Sequence, residues 1–287
     1  MGNLRVSSGL NLHSYPATDI NAYIREGLAF HKRMGFDAAD FSMAFLRRMG
    51  DDWEAGIETV LSDMEEIGLP IEVCHLPYGV NPQMTPEAKA EFDEHMRRSI
   101  IAAKRLGAKF AVLHPTTTTL PRLSFDEKEQ HEQVISSLAP YVEQGKKIGL
   151  DIVVENMRPV PQIYPYRRYC AEAEELCRVA DDLEVGICWD FGHAHIAGLK
   201  QSEALSCVGS RLRMLHVNDN FAWGDNHVPP FVGTIDWADA MQGLRAVGFE
   251  GLLNYELVTS RIPANAREAF AKYLLEAAAQ LNELFHA

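Results

Sequence analysis

The fold is decided by the stretch KKIGLDIVVENM at residues 146–157. It closes a helix-like segment at Gly149, continues as an apolar, β-branched run and turns polar at Glu155. A glycine after the last helical residue suits the left-handed conformation of a helix end, because glycine has no Cβ. A short apolar run directly after it is typical of a buried strand in a parallel sheet. The stretch therefore predicts one helix-to-strand unit of an α/β protein.

The same order of helix end, glycine and strand recurs along the chain. Glycines end helix-like stretches in KRMGF, EEIGL, KRLGA and RAVGF, at residues 32–36, 65–69, 104–108 and 245–249. Eight strands are predicted: RVSSGLNL (5–12), GFDAADFS (35–42), IEVCHLP (71–77), AKFAVLHP (108–115), LDIVVENM (150–157), VGICWDFGH (185–193), RMLHVND (213–219) and GLLNYEL (251–257).

Eight strands alternating with helices are the pattern of a (β/α)₈ TIM barrel. We therefore expect an α/β protein in which residues 1–287 form one barrel domain. Apolar residues from Ala266 to Phe285 recur at helical spacing and predict a closing amphipathic helix. Two Pro-rich connections, 115–121 and 158–165, follow strands and are candidates for lid or specificity loops.

Composition and charge exclude several classes of protein. The chain has 287 residues, of which 47% are hydrophobic and 23% charged, so it can bury a large core without disulfides. Its formal net charge of −13 disfavours a general attraction to nucleic acid or to an anionic membrane. The pair Arg167 and Arg168 is too small a basic cluster for a nucleic-acid-binding surface. A small molecule is the expected partner, and homo-oligomerisation is left open.

The cysteines and the apolar runs bear on compartment and on metal chemistry. The five cysteines are scattered and show no CxxC spacing, which favours reduced thiols over disulfides or a thiolate zinc site. No apolar run has the length of a membrane helix, and the amino terminus lacks the pattern of a signal peptide. We expect a cytoplasmic protein whose metal site, if it has one, uses histidines and carboxylates.

Ionisable residues end six successive strands. They are His75, His114, Glu155, Asp190 with His193, His216, and Glu256. An ionisable side chain is costly to bury without a partner, so six in succession indicate one shared site at the carboxyl ends of the strands. Imidazole and carboxylate ligands without cysteine suit Zn²⁺, Mn²⁺, Co²⁺ or Fe²⁺.

The loop after the seventh strand contains a D-x-H arrangement. Asp225 and His227 are alternate residues and would project to the same side of an extended segment, toward one ion. A solvated Asx-type turn explains the same spacing slightly better. Both interpretations stay open at this point.

The motifs CHLPYG, VLHP, VVENM, ICWDFGHAHIAG, LHVNDN, DNHVPPFVGTIDW and NYEL resemble those of the xylose isomerase-like TIM barrel superfamily. That superfamily includes sugar phosphate isomerases and epimerases, ketose 3-epimerases and the endonuclease IV group. Its ketose 3-epimerase branch implies one metal on Glu155, Asp190, His216 and Glu256, with His193 contacting substrate. Its endonuclease IV branch implies three zinc ions, which would also use His75, His114, His193, Asp225 and His227. All nine residue types are present, so the resemblance leaves the number of metal ions open.

The resemblance implies a divalent-metal-dependent isomerase or epimerase acting on a sugar, a sugar phosphate or an inosose. Such chemistry removes a proton next to a carbonyl, passes through an enediolate and returns a proton. We expect Glu155 and Glu256 to transfer the protons, Asp190 and His216 to anchor the metal, and His193 to orient a hydroxyl or carry a proton. The metal would be Mn²⁺, Zn²⁺ or Co²⁺. His13, Tyr78, Arg167, Arg168 and Trp223 are candidates for substrate contact.

Three other functions remain open on sequence grounds. A trinuclear-zinc phosphodiesterase is favoured by the nine ligands and by the spacing of His75, Tyr78 and Asn81, and disfavoured by the acidic charge. A metal-dependent lyase or dehydratase on a keto-sugar or inosose would begin with the same proton abstraction. A sugar-binding barrel without catalysis does not call for two opposed glutamates at a metal. Asp40, where many relatives have glutamate, and the HPT at residues 114–116 leave the identity of the substrate undecided.

Overall fold

The computed structural model describes residues 2–14, 19–78, 84–159 and 166–287. These residues contain ten strands: β1 (Arg5–Gly9), β2 (Ala38–Ser42), β3 (Ile71–His75), β4 (Phe110–Leu113), β5 (Thr119–Pro121), β6 (Asp151–Glu155), β7 (Tyr166–Arg168), β8 (Gly186–Asp190), β9 (Leu212–His216) and β10 (Leu252–Tyr255).

Eight of these strands form one parallel sheet that curls into a nearly closed barrel. The order around the sheet is β10-β1-β2-β3-β4-β6-β8-β9, and each hydrogen-bonded pair is parallel. The ends β9 and β10 meet only just past β9, where a single bridge joins Val217 to Tyr255. There the amide of Val217 donates to the carbonyl of Asn254 at 2.8 Å. The prediction of a single-domain (β/α)₈ barrel is confirmed.

Ten α-helices pack around the sheet or follow its strands within the described ranges. They are α1 (Ile20–Met34), α2 (Ala44–Met49), α3 (Trp53–Ile67), α4 (Pro86–Arg105), α5 (Glu127–Ile148), α6 (Ala173–Leu183), α7 (Phe191–Ile196), α8 (Gln201–Val208), α9 (Trp237–Ala246) and α10 (Arg267–His286). The helix α10 confirms the predicted closing helix to within one residue at each end.

All eight predicted strands are present. Seven begin within two residues of the predicted position, and β2 begins three residues late, at Ala38. The delay has a local cause, since Gly35 adopts φ +103° and accommodates the end of α1. The other four predicted helix-ending glycines, Gly68, Gly107, Gly149 and Gly248, also have positive φ.

The interior of the barrel contains one apolar layer. Seven strands each contribute one residue to this cluster, which is separate from the larger core between sheet and helices: Ala38, Val73, Val112, Val153, Cys188, Met214 and Leu252. Successive side chains of a strand alternate between the two faces of the sheet, so the residue two positions further on also points inward. Those residues are Asp40, His75, His114, Glu155, Asp190, His216 and Asn254. A polar layer therefore lies directly above the apolar one, at the carboxyl ends of the strands.

The short strands β5 and β7 were not predicted. They pair antiparallel, with Thr119 opposite Arg168 and Leu120 opposite Arg167. This ribbon joins the two Pro-rich connections, of which residues 160–165 lie outside the described residues. No helix in the described part of the chain is long and apolar enough to cross a membrane.

A buried histidine in α1 makes the stability of the fold depend on pH. His31 is fully buried in α1, where its Nδ1 donates to the carbonyl of Gly27 at 2.8 Å and its Nε2 lies 2.8 Å from the hydroxyl of Ser8. Burial lowers the pKa of His31 to about 4, whereas an unfolded chain has a histidine pKa of about 6.5.

Between about pH 6.5 and pH 4 the unfolded chain therefore binds a proton at this position that the folded chain does not. Stability contributed by neutral His31 is complete above that window and is lost as the pH falls through it, by roughly 3 kcal/mol at most. We expect urea unfolding of His31→Gln to depend less steeply on pH between 7 and 4.5 than wild type. The exposed His286→Gln is the control, and equal slopes for all three proteins would contradict the prediction.

Candidate metal centre

Four side chains from the carboxyl ends of the strands meet at one point inside the barrel rim. Glu155, Asp190 and His216 end β6, β8 and β9, and Glu256 directly follows β10. One ligand atom from each lies within 4.8 Å of the others. The Nδ1 atom of His216 is 3.2 Å from a carboxylate oxygen of Glu155 and 3.2 Å from one of Glu256. We call these residues the four-residue set.

The four-residue set fits a divalent cation because several of its buried nitrogen and oxygen atoms have no hydrogen-bond partner. Both oxygens of Glu155, both ring nitrogens of His216 and Oε2 of Glu256 are buried without a hydrogen-bond partner. Buried polar atoms are nearly always partnered, so several unpartnered atoms at one point fit a cation-binding site. One imidazole nitrogen and three carboxylates suit Zn²⁺, Mn²⁺ or Co²⁺.

The charges of the set balance one another in the structure. Burial raises the pKa of Glu155, but the nearby His216 and His114 outweigh this and hold the pKa well below its usual range. Burial lowers the pKa of His216, yet Cys188, Glu155 and Glu256 raise it well above its ordinary value. A ligating imidazole is neutral, so a cation bound here would replace a proton on His216.

Neighbouring amides hold Asp190 in place. The side chain of Asn218 donates to Oδ2 of Asp190 at 2.7 Å, and Asn156 Oδ1 accepts from its backbone amide at 2.6 Å. The amide of His193 donates to Oδ1 at 2.6 Å. Gly192 is required for this packing, since a Cβ at that position would lie 1.9 Å from Oδ1 of Asn218. Asn156 and Asn218 therefore fix the position of Asp190.

A second group forms beside the first, from His193, Asp225 and His227. Their ligand atoms also lie within 4.8 Å of one another. The Nε2 atom of His227 is 3.0 Å from Oδ1 of Asp225, and that of His193 is 3.7 Å from Oδ2. The structure thus places Asp225 and His227 together with His193 at the rim of the site.

A third group consists of His75, His114 and Glu155. The Nε2 atoms of the two histidines are 3.1 Å apart, and that of His114 is 3.0 Å from Oε2 of Glu155. All nine residues that the resemblance singled out therefore occur in three neighbouring groups, two of which share Glu155.

Three of these histidines share one orientation. The Nδ1 atoms of His75, His193 and His227 donate to the backbone carbonyls of Leu76, Asn156 and Glu256 at 2.8–2.9 Å. A backbone acceptor at Nδ1 fixes the tautomer that leaves Nε2 as the electron-pair donor, which is the usual arrangement of a metal-ligating histidine.

Two adjoining cavities open onto the centre, and they contain some of the predicted substrate contacts but not others. One has a volume of about 360 Å³ and the other about 280 Å³, and both are lined by His75, Tyr78, His227 and Glu256. Arg168 lines the smaller one. Tyr78 also stacks on the ring of His114, with the centroids 5.2 Å apart.

The structure does not bring His13, Arg167 or Trp223 to these cavities. His13 packs on Tyr23, and its Nδ1 donates to the carbonyl of Leu10. Trp223 is 61% exposed and stacks on Phe221. Arg167 pairs with Glu175 and Glu127 on the outer side of the β5–β7 ribbon, because adjacent residues of a strand face opposite ways. Asn81, whose spacing from His75 and Tyr78 favoured the phosphodiesterase, lies outside the described residues.

Two further residues line the cavities: Asp40, which the sequence marked only as a departure from many relatives, and Arg158, which sequence reasoning missed. Asp40 is buried, its Oδ2 accepts from Asn254 at 2.9 Å, and burial raises its pKa to about 6. Its inward position follows from alternation along β2, so the signal was present in the sequence. Arg158 forms an ion pair with Asp225 at 3.0 Å. No periodic pattern marks Arg158, because it lies in a loop.

A further buried carboxylate organises the loop that carries Asp225 and His227. Asp219 is fully buried and accepts four hydrogen bonds, from the backbone amides of Asn220, Phe231 and Ile235 and from the indole of Trp237, at 2.8–3.1 Å. These contacts join both ends of the loop to one side chain. Asp219 is therefore a positioning residue for the second group.

We expect Asp219→Asn to lower the free energy of unfolding by about 2–3 kcal/mol, because the new amide group would face N–H donors and leave them unpaired. Chemical denaturation measures the loss. Asp236→Asn is the matched control in the same loop: Asp236 accepts the amide of Asp239 as a helix N-cap, a role that asparagine fills equally well. Equal stability of the two variants would contradict the role given to Asp219.

Comparison with known proteins identifies the family that this sequence resembles. Residues 28–277 match the family model described as xylose isomerase-like TIM barrel. An uncharacterized protein of Methanocaldococcus jannaschii is 28% identical over 213 residues, covering 70% of this chain and 69% of that protein. The fructoselysine 3-epimerase of Shigella flexneri is 25% identical over 208 residues, covering 64% of this chain and 67% of that protein.

The fold also matches solved structures. That of a D-tagatose 3-epimerase-like protein superimposes with a TM-score of 0.74 at 21% identity, covering 99% of this chain and all of that one. At that identity the match concerns the fold alone. Because the family model spans most of the sequence, the chain belongs to the xylose isomerase-like TIM barrel family.

Proposed function

We propose that this protein is a divalent-metal-dependent isomerase or epimerase of a sugar, a sugar phosphate or an inosose. The observation that carries the proposal is the convergence of Glu155 and Glu256, from β6 and from the end of β10, on the same four-residue set. Two carboxylates at one site, on strands separated by β8 and β9, supply one group to remove a proton and another to return it.

Each residue of the site has a distinct part in the proposal. Glu155 and Glu256 exchange protons with the carbon next to the substrate carbonyl, on either side of an enediolate. Asp190 is fixed by two asparagines and, with His216, anchors the cation. His193, with Nδ1 3.3 Å from Oε1 of Glu155, orients a substrate hydroxyl or relays a proton. The bound divalent cation would supply electrophilic polarisation of the substrate oxygens.

A carbohydrate substrate is supported by the cavities and by the relatives. The larger cavity, about 360 Å³, is of the size that holds a small molecule and contains both apolar and polar groups. The named relative is a 3-epimerase of a ketose derivative, and the matched structure is described as epimerase-like.

The test is entry of solvent deuterium into a ketose. Metal-loaded protein in D₂O is expected to exchange the hydrogen beside the carbonyl of a ketose substrate, and metal-free protein is not. Mass spectrometry of ketoses and inososes reports the exchange, and product analysis separates an isomer or epimer from a dehydrated product, which would turn the assignment to a lyase. Absence of exchange across the panel with fully loaded protein would refute the proposal.

A second candidate, a trinuclear-zinc phosphodiesterase, is favoured by one specific observation. All three groups of ligands are assembled, and three histidines present Nε2 as electron-pair donors. Elemental analysis separates the candidates, since about one ion per chain is expected for the isomerase and about three for the phosphodiesterase. Nicking of an abasic DNA duplex by the loaded protein would establish the second candidate in place of the first.

A further inference from the structure

Two arginines enter the cavity of the metal centre from different loops. Arg168 lies on β7, and Arg158 lies three residues after the end of β6. Both line the cavity of about 280 Å³ together with His75, His193 and Glu256. The antiparallel pairing of β5 with β7 determines which arginine of the pair 167–168 faces inward. Arg168 turns toward the cavity, while Arg167 pairs with Glu175 and Glu127 outside it.

The guanidinium of Arg168 is only partly used by the protein. Its Nε donates to the hydroxyl of Thr117 at 2.8 Å, which fixes the plane of the group. Among the described residues, its two terminal nitrogens have no hydrogen-bond partner. Arg158 uses its Nε for the ion pair with Asp225. The terminal N–H groups of Arg168 therefore remain available in the cavity that Arg158 also lines.

The electrostatics of the pair favour an anion. Burial lowers the pKa of Arg168, and the charge of Arg158 lowers it further, while Glu155 and Asp225 act in the opposite direction. Two guanidinium groups that face one cavity repel each other, and a carboxylate or phosphate between them removes that cost. A planar fork of N–H donors also matches the oxygens of these anions in pairs.

We propose that Arg168, assisted by Arg158, binds a terminal oxyanion of the substrate, so that the substrate class of this site is a keto-sugar carrying a phosphate or a carboxylate. The identification of the ligand as a sugar rests on the proposed function, whereas the anion site rests on the arginines alone. The cavity places both arginines beside His193 and Glu256, so one small molecule can bridge the arginines and the proton-transfer groups.

The experiment compares three ligands that share a ketohexose frame and differ in the terminal group: D-fructose, D-fructose 6-phosphate and D-fructuronate. Isothermal titration calorimetry on Mn²⁺-loaded protein measures each dissociation constant, and inorganic phosphate is titrated as a fourth probe. At least one anionic ketose is expected to bind at least ten times more tightly than D-fructose. This difference in affinity is expected to fall as the salt concentration is raised. A preference for phosphate or for carboxylate identifies the source of the oxyanion.

Three variants show whether the arginine carries the preference. Arg168→Gln is expected to lose tenfold or more of the advantage of the anionic ligand while D-fructose binding changes little. Arg168→Lys, which keeps the charge and the packing of the stem but lacks the fork, is expected to retain part of it. Arg211→Gln is the matched control, because it removes one positive charge just before β9, at the opposite end of the barrel. Thermal unfolding checks that each variant is folded.

The outcomes for this inference and for the proposed function are separable. Equal affinity for charged and uncharged ketoses, or an anion preference that survives in Arg168→Gln, overturns the anion site even if D-fructose exchanges deuterium. Binding of inorganic phosphate or of an anionic ketose that depends on Arg168, in a protein that exchanges deuterium into no ketose, supports the anion site and refutes the isomerase.

Discussion

Glu155→Gln is expected to slow deuterium entry into a ketose by about 10³-fold, the range for loss of a general base. The carboxylate is buried at the end of β6, and its neighbours hold its pKa well below its usual range, so in wild type it is ionised and able to accept a proton. Glutamine keeps the shape but cannot take the proton. Glu256→Gln is expected to be comparably slow, and the double variant little slower than either, because the two residues act as a unit.

The control lies on the same strand. Asp151→Asn removes a carboxylate at the opposite, exposed end of β6 and is expected to leave the exchange rate unchanged. Because Glu155 also belongs to the proposed metal set, the metal content of each variant is measured by elemental analysis at saturating Mn²⁺. A Glu155→Gln protein that is fully loaded and still exchanges at the wild-type rate would remove Glu155 from the proton transfer.

Removal of divalent cations is expected to abolish exchange and to destabilise the fold. Three carboxylates and one histidine meet within 4.8 Å, and without a cation their buried atoms stay unpaired. A ligand present at 100 times its dissociation constant stabilises a protein by about 2.7 kcal/mol. For a domain of this size that corresponds to a rise of roughly 4–5 °C in the unfolding midpoint.

Calorimetric scans of chelated and Mn²⁺-reconstituted protein measure this shift. In His216→Gln, which lacks the central ligand of the four-residue set, the difference between the two scans is expected to shrink markedly. A chelated wild-type protein whose midpoint is unchanged, although elemental analysis shows the loss of metal, would argue against a cation held by this set.

The barrel and the polar layer could be predicted from the sequence because both follow from short-range regularities. Glycines such as Gly149 mark the helix ends, and the apolar runs after them mark the strands. In a parallel barrel all carboxyl ends point the same way, so residues such as His114 and Glu155, which end those runs, had to gather at one rim. Local pattern and overall architecture agree here, which makes such predictions dependable.

The features that the sequence did not predict depended on contacts between distant segments. The pairing of β7 with β5 decides whether Arg167 or Arg168 faces the cavity. The paired residues lie 45–49 positions apart in the chain, and β5 has no run of apolar residues that would predict a strand. Arg158 and Asp219 act through loop geometry, and a loop position has no periodicity from which its direction could be read. His13 follows a predicted strand, but the chain turns after Gly9, and its ring packs on Tyr23 instead.

The single bridge that closes the barrel has a consequence for how the protein responds to its cation. His216 and Glu256 lie on opposite sides of that junction, one on β9 and one just past β10. An ion bound by both residues would act as a cross-link between β9 and β10, the two edge strands where the sheet closes. Binding of the ion and closure of the barrel between β9 and β10 would then be coupled. Loss of the ion would weaken together the hydrogen bonds that the backbone amides of Val217 and Glu256 donate across this junction.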